Sequence, residues 1–145
     1  MITIALRFAD NFAPDSGTIA EHRKMIDELG YVWYGKLGTP ISKAVATQIL
    51  SNKERKILLI HSGSVGRYWA YIDLIQRKKP DINAIPEYYR FKADSFNTWF
   101  RVNKLIDAPK DILSKCTVAS SGTLLSRASR HSMSPYFIIK VDEGE

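Results

Sequence analysis

Residues 56–76 read KILLIHSGSVGRYWAYIDLIQ. Two apolar, β-branched runs flank a Ser/Gly turn, so the stretch predicts two strands joined as a hairpin. An ordinary two-residue hairpin favours Asn-Gly or Asp-Gly at its tip, beside plain apolar and polar alternation. This one instead carries Gly63 and Gly66, then Arg67, Tyr68, Trp69 and Tyr71, more glycine and more ring than a connection requires. Strand alternation sends neighbours to opposite faces, so Tyr68 and Trp69 point apart, as do Trp33 and Tyr34 in YVWYG. On that rule some rings leave the core to line a surface or cleft. The plain alternative is a tight hairpin with ordinary core aromatics.

The flanks extend the pattern. ITIALRF, residues 2–8, predicts a strand, and DNFAPDSGT leads with Ser16 or Thr18 as cap into a helix over AEHRKMIDEL that Gly30 ends. YVWYGKLG predicts a short aromatic strand and SKAVATQIL a helix over 42–50. From Lys78 to Phe96 runs a long connection rich in Pro and Tyr, expected to be irregular and of the kind that often carries function. NTWFRVNKLIDAP predicts a strand stopped by Pro109, KDILSKC a short helix or turn, Leu124–Arg130 a short helix, and YFIIKV a last strand. Five to six strands with about three helices, mixed rather than regularly alternating, give an α+β class. The expected form is a small curved mixed sheet or barrel with packed helices, not a doubly wound nucleotide fold.

With 145 residues, 45% of them apolar and 11% aromatic, the chain fits one globular domain, 1–145, with no apolar run long enough to span a bilayer. The N-terminus lacks the pattern of a secretory signal, and a single cysteine, Cys116, excludes an internal disulfide, so a cytoplasmic location is expected. The formal charge is +6, from 21 Lys and Arg against 15 Asp and Glu. Basic residues gather at Lys53, Arg55 and Lys56, at Arg77, Lys78 and Lys79, and at Arg127 and Arg130 beside His131. A phosphate-tracking face and a solvated mixed surface both fit that distribution.

Metal, cofactor and catalytic chemistry find little support. His22, His61 and His131 lie in no metal-binding spacing, no Lys-Ser/Thr follows the Gly63–Gly66 turn, and no nucleophile elbow accompanies Cys116 or the serines. Rings beside glycine-rich turns and arginines suit an unpaired or extruded base, whose faces need flat apolar walls and whose edge needs a few hydrogen-bond partners. His61, Ser62 and the amides around Gly63 are the candidate edge readers.

Four segments, taken in order, resemble the PUA-like superfamily and, within it, the EVE and YTH-type modified-base readers: YVWYGK, ILLIHSGSVGRYWAYIDLI, NTWFRVNKLIDAP and SRASRHSMSPYF. The likeness covers roughly residues 31–137 and departs from the EVE pattern in two places. Residues 1–30 form an N-terminal strand and helix extension outside it, and Leu-Gly-Thr-Pro stands where an acid-Pro pair follows the first Lys. Within the family the chain looks closer to the EVE-like modules at the N-termini of McrBC-type modification-dependent restriction systems. The resemblance implies a non-catalytic nucleic-acid-binding domain that flips a modified, for instance methylated, base into an aromatic cage. DNA is favoured over RNA, with a fused or partner motor and nuclease, no cofactor, no metal and no membrane. Trp33, Tyr34, Trp69 and Trp99 are the cage candidates, His61 and Ser62 the edge readers, and Lys36, Arg67, Arg127 and Arg130 the phosphate candidates. The rivals are an ASCH-like small ribonuclease or amidohydrolase, using His61 or His131 with Lys36, and a protein-interaction domain. The terminal VDEGE reads either as a natural end or as a linker cut from a longer protein.

Overall fold

The computed structural model describes residues 1–10, 13–132 and 134–142; residues 143–145, at the chain end read as terminus or linker, lie outside them. Seven strands form one sheet: β1 (Ile2–Phe8), β2 (Val32–Lys36), β3 (Lys56–His61), β4 (Arg67–Gln76), β5 (Thr98–Asp107), β6 (Cys116–Val118) and β7 (Tyr136–Val141). Their order is β2-β5-β4-β3-β1-β7-β6. Three helices, α1 (Thr18–Leu29), α2 (Lys43–Leu50) and α3 (Leu125–His131), pack on it. The fold is α+β, with an open mixed sheet rather than a closed barrel. The expected five or six strands become seven because Cys116–Val118, expected as the end of a short helix or turn and the start of a Ser/Thr-rich stretch, pairs with β7.

The 56–76 stretch is a hairpin. Leu58 stands opposite Trp69, and the turn closes with the His61 N–H donating to the Gly66 carbonyl at 3.0 Å. A Cβ on Gly66 would lie 2.8 Å from the Tyr68 hydroxyl, so that glycine is there because the ring folds back over the turn. β1 is parallel to β3 and antiparallel to β7. The link from β1 to β3 carries α1, β2 and α2, a crossover of the length a parallel pair needs. The first thirty residues, set apart in the sequence as an extension, therefore supply an interior strand whose Ile4, Ala5 and Leu6 are buried.

Both sheet faces are covered. Leu6, Ile57, Leu59, Ala70, Ile72 and Phe100 form a core with α1 and α2. On the opposite face Leu58, Ile60 and Trp69 pack with Leu113, Leu125 and Phe137, while Trp33 and Trp99 pack with Ile85, Tyr89 and Ala93. These last three come from the Lys78–Phe96 connection, which is not irregular throughout. It contains 3-10 helices over Ile82–Ala84 and Glu87–Ser95, the second kinked at Tyr89. Alternation does separate Trp33 from Tyr34, but a covered sheet buries both, leaving them 6% and 8% exposed.

Helix α1 begins without a side-chain cap from its own flank: Ser16 donates instead to the Glu21 carboxylate at 2.7 Å. The Asp10 carboxylate takes the role, accepting from the Thr18 N–H at 2.9 Å. Gly30 ends the helix in the left-handed region at φ 86°, its N–H donating to the Ile26 carbonyl. Ser42 caps α2 by accepting from the Val45 N–H. No helix among the described residues is long and apolar enough to cross a membrane.

Candidate functional site

A cavity of about 310 Å³ opens where β1, the end of β2, the start of α1 and the Glu87–Ser95 segment meet. Five rings wall it: Phe8, Tyr34, Tyr88, Tyr89 and Phe96. Edge-to-face contacts run from Tyr88 to Tyr89 to Phe96 to Trp99, with centroids 4.9, 5.2 and 5.2 Å apart, so the rim is braced against the core. Gly35 permits this wall, because a Cβ there would lie 2.8 Å from the Phe96 ring.

His22 also lines the cavity and packs against the Tyr34 and Tyr89 rings, at 5.1 and 5.7 Å. Burial pushes its imidazole down to about 4, so it is neutral. Nδ1 carries the proton, since it lies 2.8 Å from the Thr18 carbonyl, which can only accept. Nε2 then accepts from the Tyr89 hydroxyl at 3.0 Å, whose O–H is shared with the Trp33 carbonyl at 3.0 Å.

The charged lining is basic. Lys36 is 6% exposed; its ammonium donates to the Leu37 and Thr39 carbonyls at 3.0 and 2.6 Å and sits 4.5 Å from the centre of the Tyr136 ring. Burial holds it below the ordinary lysine value. Arg7 donates through Nε to the Ser134 carbonyl at 3.0 Å, and through Nη2 to the carbonyls of Ser132, at 2.8 Å, and Ser129. It thereby ties the end of α3, the helix bearing Arg127 and Arg130, to the cavity wall.

A second braced pair flanks the mouth. The Asp10 carboxylate accepts from the Thr18 amide with one oxygen and from His61 Nε2–H with the other, at 2.6 Å. His61 Nδ1 in turn accepts from the Gly63 N–H at 2.9 Å, which fixes the tautomer. The Thr18 amide first, and His61 next, hold the Asp10 carboxyl below its usual range. Ala9 and Thr18, on either side of this brace, line the cavity.

Of the base-binding candidates, the structure puts Tyr34 on the cavity wall. Trp33 and Trp99 lie in the cluster behind it, and Trp69 in a different cluster. His61 reaches the wall only through Phe8, whose ring it meets edge-on at 5.1 Å, and Ser62 donates to the Phe8 carbonyl at 3.0 Å. Among the phosphate candidates Lys36 lines the cavity and Arg127 and Arg130 are exposed on α3. Arg67 is half-buried at the start of β4, with its Nε unpartnered. Sequence reasoning did not single out Phe8, Arg7, Tyr88, Tyr89, Lys92 or Phe96. The richness of the Lys78–Phe96 connection in Pro and Tyr marked the region but not which rings face inward.

A family model described as Pua-like matches residues 4–142. The chain belongs to the Pua-like family. The match runs through β1 and α1, so the Pua-like unit takes in the N-terminal strand and helix as well as the hairpin that carries the resemblance. Neither the curated proteins nor the solved structures give a match. As a Pua-like domain, the chain falls in a class that suggests nucleic-acid or modified-base binding in general.

Proposed function

We propose that the chain is a non-catalytic reader that holds a modified base, extruded from DNA, in the ring-walled cavity. The cavity itself is the observation that carries this reading: about 310 Å³ bounded by Phe8, Tyr34, Tyr88, Tyr89 and Phe96, flat apolar walls with polar groups between them. Stacking on aromatic walls contributes about 1–3 kcal/mol per base and extrusion costs a few, so the two nearly cancel. A mark that weakens pairing or fills apolar space then decides occupancy. Lys36 serves the inner wall, and Arg67, Arg127 and Arg130 track phosphates outside it. The EVE and YTH narrowing, and service as the reader of a restriction system with its motor and nuclease, rest on the sequence resemblance.

One observation speaks for the hydrolase alternative, the His61–Asp10 pair beside the mouth. Both ring nitrogens of His61 are engaged, however, one by Asp10 and the other by the Gly63 amide, leaving none to move a substrate proton. Cys116 is buried and its thiol pushed up to about 11, far from a thiolate nucleophile.

The test is titration with matched duplexes that differ at one base: unmodified, methylated or hydroxymethylated cytosine, and methylated adenine. The parent is expected to favour one mark. Tyr88→Ala, once shown to fold, is expected to lose that preference and keep a salt-dependent background. A parent indifferent to these marks and to formylated and carboxylated cytosine alike ends the reader hypothesis.

A further inference from the structure

The cavity is rich in donors and poor in acceptors. Arg7, Lys36 and Lys92 line it, and among the described residues no aspartate or glutamate does. Asp10, beside the mouth, is committed to the Thr18 amide and His61. Burial raises the Tyr34 and Tyr88 hydroxyls, so both keep their protons and stand as O–H donors. His22 is spent on Thr18 and Tyr89.

The three cations differ in depth. Arg7 and Lys92 are half-buried, whereas Lys36 is enclosed. Two backbone carbonyls and the Tyr136 ring surround its ammonium. Such neighbours orient a charge without cancelling it, and an enclosed ammonium with no carboxylate beside it among the described residues is better satisfied when an anion joins it. A nucleotide extruded into the cavity keeps its phosphate at the mouth, beside the outer cations. The inner cation is left to the base edge.

Resting on the base-reading role proposed above, we infer that the mark selected here bears an acceptor, in its sharpest form a carboxylate on the pyrimidine ring turned towards Lys36. A methyl group offers Lys36 nothing, and an exocyclic amine presents donors to donors. A carboxylate would surrender hydration on entry but gain a charge-assisted hydrogen bond in apolar surroundings, where such bonds are strong.

Fluorescence anisotropy with four duplexes, identical except for cytosine, 5-methyl-, 5-formyl- or 5-carboxylcytosine at one position, tests this. The parent is expected to bind the carboxylated duplex about tenfold more tightly than the methylated one, as one charge-assisted hydrogen bond allows, with the formylated duplex between them. A duplex with one extra terminal phosphate should show no such gain, which separates cavity recognition from added charge. Lys36→Gln should bring the carboxyl-to-methyl ratio towards unity. Methylated DNA bound at least as tightly as carboxylated, with both above unmodified, overturns the inference and leaves the base-reading role standing. Equal binding of all four overturns both. Should Lys36→Gln fail to fold, the parent's own ranking decides.

Discussion

The Lys36 ammonium lies 4.5 Å from the centre of the Tyr136 ring, although β5, β4, β3 and β1 separate their strands in the sheet. A contact across four intervening strands means that the sheet curls until β2 faces β7, nearly closing without a hydrogen-bonded seam. The cavity sits at that seam, with walls from β1 and β2 that a flat sheet would hold far apart.

Gly35→Ala should disturb the seam from within. The new Cβ would lie 2.8 Å from the Phe96 ring, and overpacking of this sort costs about 1–3 kcal/mol. Thermal melts should show a lowered midpoint, partly recovered by adding Phe96→Leu. An unchanged midpoint for Gly35→Ala would mean that the ring moves aside freely.

His22 gives stability a dependence on pH. Its folded value is lowered from 6.5 to about 4, so between these limits the unfolded chain binds the proton more readily than the folded one. Stability is therefore complete above the unfolded value and falls as pH drops towards 4, by about 3 kcal/mol in all at 1.36 kcal/mol per unit. Denaturant melts from pH 7 to 4.5 should show the decline, and His22→Gln, which does not titrate, should flatten it.

Asp10 acts at lower pH. Its folded value is depressed by the Thr18 amide first and His61 next, so its contribution is present above the unfolded carboxylate value and lost as pH falls through the folded one, below about pH 4. The side chain is 40% exposed, and solvent screening keeps the effect small. Asp10→Asn should lower the melting temperature at pH 7 and blunt the acid limb; an acid limb identical to the parent's would assign the loss to other carboxylates.

Trp99 is fully buried and lines no part of the cavity. Trp99→Ala should therefore cost about 3–5 kcal/mol, the usual range for a deleted core aromatic, as read by chemical denaturation. A near-neutral result would show that the ring is not held as the core packing requires.

Arg127 and Arg130 are exposed on α3, which Arg7 anchors to the cavity wall. If they meet phosphates, replacing either with alanine should weaken binding to all sequences alike and reduce the slope of log affinity against log salt by about 1. A slope equal to the parent's would place them off the nucleic-acid path.

Much of the architecture was legible in order. The strands over 2–8, 56–76 and 136–141 follow from β-branched runs punctuated by Gly and Pro, because those signals act within a few residues of chain. The PUA-like likeness of the hairpin and its flanks also lies in the sequence, and the family match over residues 4–142 bears it out. Local signals failed where a partner was remote. Asp10 caps α1 from eight residues upstream, across a loop that offered Ser16 as the nearer candidate. The three residues of β6 become a strand only beside β7.

Ring exposure could not be read locally either, since alternation says that Trp33 and Tyr34 point apart but not what covers each face. The Lys78–Phe96 segment covers Trp33, and α1 with the sheet's curl turns Tyr34 towards the cavity. The sequence by itself thus determined the elements, the basic charge and the supply of aromatic rings, because each is a property of residues near one another in the chain. Only the tertiary structure decided that Phe8, Tyr34, Tyr88, Tyr89 and Phe96 form one wall around Lys36, because that depends on how far a seven-stranded sheet curls and which segments pack across it.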